Sequence, residues 1–124
     1  MQPPEMKIPH NEKSYVSEQK LTEYLLSETH AVGKSKAKYF RALGYNEANF
    51  RKLQEALVGI AKSCEVVQEV PTPFGTKYIV DGQLPIPNGD TVRVRTIWII
   101  EPIDDSPRFV TAYPTEKING RINK

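Results

Sequence analysis

A single cysteine, Cys64, is all the thiol chemistry in this sequence of 124 residues. It excludes an internal disulfide and any zinc site built from several cysteines of one chain. Histidine is nearly as scarce, with His10 and His30 alone, and no carboxylates cluster beside either in the spacing a metal site needs. No metal and no cofactor is expected. No apolar run approaches the ~20 residues of a membrane span, and no apolar signal core follows Met1. A cytoplasmic location is the default expectation, although a toxin exported by a dedicated machine has the same appearance. The formal charge is only +2, too small by itself to mark a nucleic-acid binder.

What the chain does have is an ordinary globular composition, 39% hydrophobic and 26% charged, in a length that suits one domain. The basic excess is local. Up to Cys64 ten Lys and Arg stand against seven Glu, whereas from Glu65 onward seven bases face eight acids. Lys34, Lys36, Lys38 and Arg41 form a run without an acid, and such a run can hold an anionic partner in a near-neutral protein.

Residues 1–16 contain Pro3, Pro4 and Pro9 among polar residues without periodicity, and are expected to be a flexible arm. A single α+β domain is expected over residues 17–114, and residues 115–124 read as a polar tail. Ser17 is a good N-cap, with Val16 and Leu21 at hydrophobic-staple spacing. Leu21, Tyr24 and Leu25 then make a short apolar stripe ending near Ser27–His30. A second helix is expected from Gly33–Ser35, with Ala37 and Phe40 inward and Gly44 as the left-handed residue after its end. A third, capped by Asn46, carries Phe50, Leu53, Leu57, Ile60 and Ala61 on one face.

After Cys64 the hydrophobic period changes from 3.6 to 2. The segments EVVQEV, TKYIVDG, TVRVRTIWIIE and RFVTAYP read as four strands, joined at PTPFG, at QLPIPNGD and at PIDDSP. Short connections in sequence order predict an antiparallel meander, so the fold class is α+β: three helices, then a four-stranded sheet. Along the third strand Val92, Val94, Thr96, Trp98 and Ile100 point one way, and Arg93, Arg95, Ile97 and Ile99 the other. In the fourth, Phe109, Thr111 and Tyr113 share one parity. Whether Arg93 and Arg95 lie on the same face as Thr111 and Tyr113 depends on the register. Mid-strand arginines also suit the solvated face of a one-sided sheet.

The stretch HAVGKSKAKYF, residues 30–40, holds the densest chemistry. Gly33-Lys34-Ser35 matches only the second half of a phosphate-binding G-x-x-x-x-G-K-[ST] loop; the first glycine would fall at Glu28, and a helix rather than a strand comes before it. A nucleoside-triphosphate fold is therefore excluded. A weaker idea survives: free amides at a helix start beside Lys34 and Lys36 suit one phosphate group. The bland reading is a helix start with exposed lysines. Ser35 lies five residues from His30, but nothing around it resembles a nucleophile elbow. His30 can act as a general acid or base. Beside cations this suits RNA cleavage, where the substrate's own 2′-hydroxyl is the nucleophile and the protein supplies a base, an acid and positive charge. The candidate catalytic residues are His30, Lys36, Thr111 and Tyr113. The candidate phosphate-binding residues are Gly33, Lys34, Ser35, Arg93 and Arg95.

The segments KLTEYLLSETHAVGKSKAKYFRALGY, FGTKYIVDG, VRTIWII and RFVTAYP together resemble a bacterial family, domain of unknown function 6883. Its pattern is K-L-x-x-Y-L-L-x-x-x-H-x-x-G-x-S-K-A-x-F-F, then F-G-x-x-Y and a terminal L-V-T-A-Y-P. The resemblance spans about residues 6–114, with Ala31 where proline is frequent and Tyr39 where phenylalanine is frequent. The order of helices and sheet, with its late TAYP strand, is also similar to the barnase–EndoU–colicin–RelE-like metal-independent ribonuclease toxins. That resemblance implies a cleft lined by His30, Lys34, Lys36, Arg95, Thr111 and Tyr113. Two functions follow as expectations. One is a toxin-type ribonuclease with RNA as substrate and a cognate antitoxin or immunity protein as partner. The other is a non-catalytic module, itself an antitoxin, immunity or partner-binding protein.

Overall fold

A computed structural model describes residues 6–27, 29 and 34–115. The helices come first: α1 (Glu18–Lys20), continued by a π-helical turn (Leu21–Leu25), then α2 (Lys34–Ala42) and α3 (Phe50–Ser63). Four strands follow, β1 (Val66–Thr72), β2 (Gly75–Pro85), β3 (Thr91–Ile100) and β4 (Arg108–Pro114). They form one antiparallel sheet in the order β1-β2-β3-β4, the expected meander.

The Ser17 hydroxyl caps α1, accepting from the Lys20 amide at 3.0 Å. The helix then widens, and the Leu26 amide bonds the Leu21 carbonyl five residues back at 2.8 Å. This spacing brings Leu21 and Leu26 into line, so that both are fully buried together with Leu25. In α2, Ala37 and Phe40 are fully buried as expected. Its end is a Schellman turn: Gly44, at φ 108°, donates to the Arg41 carbonyl, and Tyr45 donates to that of Phe40. Asn46 does not cap α3. Its side chain accepts from the Ala48 amide, Asn49 takes the N-cap place, and the helix starts three residues later than expected. The apolar stripe of α3 is as read: Leu53, Leu57, Ile60 and Ala61 are buried.

The segment expected to be a flexible arm is docked over its described part. Ile8 is 1% exposed and Val16 3%, and a 3-10 turn (Asn11–Lys13) lies between them. Two isolated apolar side chains suffice to seat it, because backbone bonds hold it too. The Met6 carbonyl accepts from the Val66 amide at 2.7 Å, and Tyr15 exchanges bonds with Pro107 and Phe109 at 3.0 Å each.

Helix α3 packs on the face of the sheet made by Tyr78, Val80, Leu84, Val94, Thr96 and Trp98. Gly82 is the close-approach point: a Cβ there would sit 2.8 Å from Ile60 Cγ2 and 3.2 Å from Cys64 Sγ. Thr96, fully buried, satisfies its hydroxyl by donating to the Val80 carbonyl and accepting from the Trp98 indole. Strand β2 runs on through Gln83, Leu84 and Pro85, which the sequence suggested as loop, because Leu84 is fully buried and paired with Val92.

Strict alternation fails in β4. A bulge opposite Ile97 and Trp98 shifts the register by one, so that Trp98 pairs with Phe109 and Ile97 with Thr111. Phe109 therefore leaves the company of Thr111 and Tyr113 and turns into the core, its ring edge-on to Trp98 at 5.3 Å.

Candidate functional site

The register puts Arg95 directly across from Tyr113 on one side and Asp81 on the other. Cross-strand partners share a face, so carboxylate, guanidinium and phenol form one transverse row over β2, β3 and β4. It lies on the face away from α3. The next row is Ile79, Ile97 and Thr111. Arg93, across from Gln83, is one further row along on the same face and exposed. The arginines and the β4 hydroxyls thus share a surface, the arrangement that sequence parity left undetermined.

Arg95 is held by Asp81 in a two-pronged pair: Nε donates to Oδ1 at 2.8 Å and Nη2 to Oδ2 at 2.9 Å. The Arg95 side chain is 35% exposed and that of Asp81 15%. The Asp81 carboxylate raises the guanidinium pKa above its ordinary value, opposed by partial burial, and nearby Tyr113 adds to the rise. Thr111 lies beside a second phenol, its hydroxyl 3.1 Å from that of Tyr24 in the π-helical turn. Lys20 Nζ lies 4.6 Å from the centre of the Tyr24 ring.

The helical part of the expected site is only partly in view. His30 and Gly33 lie outside the described residues, and Lys34 is described only as the first residue of α2. Ser35 is exposed and Lys36 half-buried in the first turn, which contains no acid. Among the described residues no hydrogen bond or ion pair joins Ser35 or Lys36 to the row on the sheet. Arg41, which closes the basic run of the sequence, is structural. Its Nε and Nη2 donate to the Leu26 carbonyl at 3.0 and 2.8 Å, and Nη2 also pairs with Glu47.

Asp81 and Tyr24 escaped the sequence reading. For Asp81 the signal was present. The β2–β3 pairing is symmetric about Asn88, and equal steps outward from that turn residue reach Asp81 and Arg95 together. A separate hollow of about 590 Å³ lies beyond the end of β3, lined by residues that include His10, Tyr78, Ile100 and Ile103. It contains none of the row's residues.

A helical layer on one face of a four-stranded meander, with polar chemistry on the other, is the class of architecture in hand. The chain belongs to the family described as a domain of unknown function, DUF6883, which it matches over residues 7–116. No curated protein matches it. Among solved structures it is similar to a chain in a contact-dependent growth inhibition toxin–immunity protein complex from Klebsiella pneumoniae 342. The TM-score is 0.66 at 19% identity, covering 89% of this chain and 97% of the other. At that identity the likeness establishes the fold.

Proposed function

We propose that this chain is a toxin-type domain that cleaves RNA, with a cognate immunity protein or antitoxin as its partner. The observation that carries the reading is the register that sets Arg95 beside Tyr113 on the face of the sheet away from α3. The fold shared with a chain of a toxin–immunity complex supports it. In this reaction the 2′-oxygen attacks the adjacent phosphorus and the 5′-oxygen departs. The products are a 2′,3′-cyclic phosphate and a 5′-hydroxyl. One group takes the 2′-proton and another gives a proton to the leaving oxygen. Arg95 and Arg93 counter the charge that develops on the phosphorane. Tyr113 is the acid, because its phenol stands next to that charge. Thr111 orients the phosphate. His30 is the base, and Gly33, Lys34, Ser35 and Lys36 hold the neighbouring phosphate at the start of α2.

The test is incubation of total RNA with purified protein in EDTA. Wild type is expected to cut it, and Arg95→Ala, Tyr113→Phe and His30→Ala to slow cutting by about 10²-fold each. Intact RNA with clean wild-type protein, together with harmless expression in cells, would end the nuclease reading. A second reading, a non-catalytic immunity or partner-binding module, is favoured by one observation: Arg95 already has a full carboxylate partner in Asp81.

A further inference from the structure

We infer that Asp81 is the positioning residue of this site, aiming Arg95 at the reacting phosphate rather than quenching it; the inference rests on the nuclease reading above. A guanidinium has five N–H donors in a planar fork. Asp81 engages the Nε side alone, through Nε and one N–H of Nη2. Tyr113 also comes within hydrogen-bonding reach of the guanidinium. Among the described residues no second carboxylate engages the Nη1 edge, which suits a two-pronged contact of the kind arginine makes with phosphate, completed beside the Tyr113 hydroxyl. The carboxylate is the more buried partner, at 15% against 35% for Arg95, so the fixed end of the pair is Asp81. The orientation is further defined by strand pairing, since Asp81, Arg95 and Tyr113 are consecutive partners across three strands. A long side chain at a mid-strand position would otherwise sample several rotamers, and misplacement of a catalytic cation by about 1 Å lowers rates by about 10²-fold.

The charge balance distinguishes positioning from binding. Removing Asp81 leaves Arg95 with an uncompensated positive charge, which attracts RNA as well as before or better, while its aim is lost. Cleavage rates against total RNA concentration, in EDTA, are therefore measured for wild type, Asp81→Ala, Asp81→Asn and the swap Asp81→Arg/Arg95→Asp. The single variants are expected to lose about tenfold or more in kcat with KM unchanged or lower. The swap is expected to regain the melting temperature lost by Asp81→Ala, because the ion pair is restored, without regaining cleavage. If wild type cuts and Asp81→Ala cuts equally fast, or if the swap restores cutting along with stability, Asp81 is a structural partner only and the inference is overturned. If wild type leaves RNA whole, the nuclease reading falls first, and the role of Asp81 falls with it.

Discussion

Tyr45 and Tyr78 show how single residues couple this fold to its solvent. Burial pushes both phenols above the usual 10.0, with Glu69 adding to the shift at Tyr78. Below that value both are protonated whether the chain is folded or not, and their stabilising effect is complete. As pH rises past it the unfolded chain releases its protons first, so stability falls until the folded pKa values are reached. Chemical denaturation between neutral pH and the alkaline range should show this loss, with a shallower pH slope in Tyr45→Phe. The slope is the quantity to compare, because Tyr45→Phe also removes the bond that its hydroxyl donates to the Pro85 carbonyl. At this scale the sequence was legible where one residue has one local role. Ser17 caps as expected and Gly44 takes the left-handed turn. It was less legible where two residues of one type compete. Asn46 and Asn49 both suit a cap, and the choice follows from the bond that the Asn49 side chain accepts from the Asn46 amide.

Between elements, the join between the π-helical turn and α2 depends on Arg41. The Leu26 carbonyl lies at the end of a helical segment, where backbone acceptors lack intrahelical partners. Arg41 supplies two charged donors to that one oxygen. Arg41→Ala should lower unfolding free energy by about 2–3 kcal/mol, read as a shift in urea midpoint at constant slope, since charge-assisted bonds contribute about 1.5–3 kcal/mol. Arg41→Lys should recover less than half, because an ammonium cannot present the same fork. The helices and strands themselves were readable from their periods. The bulge in β4 was not, since counting parity along RFVTAYP assumes an unbroken strand and the demand that Phe109 meet Trp98 breaks it. The same event keeps Thr111 and Tyr113 on the outer face, so the candidate site depends on a tertiary contact that no local pattern contains.

For the molecule as a whole, the described part of the first sixteen residues is anchored in the core through Ile8 and Val16. Ile8→Ala should destabilise by about 2–5 kcal/mol, the range for emptying a buried aliphatic site, measurable as a lower melting temperature and an unchanged far-ultraviolet spectrum at low temperature. The order of helices and sheet, and the burial of one sheet face, were legible in the sequence. The docking was not, because Ile8 and Val16 stand alone among polar residues and show no period. What seats them is the sheet edge, which exists only after four strands have paired.

That docking also sets a sequence of events. The segment that reaches β1 through Met6 reaches β4 through Tyr15, and Lys13 meets Asp105, 92 positions away. Neighbouring strands of the meander can zip as they emerge, since each loop to be closed is short. The arm, made before the sheet, must wait for β4 before its contacts exist. During that interval the starts of both outer strands lack the backbone partners that the arm later supplies, and Ile8 and Val16 have no pocket. The vulnerable period of this small domain therefore lies late in folding, with the meander formed and its ends still untied.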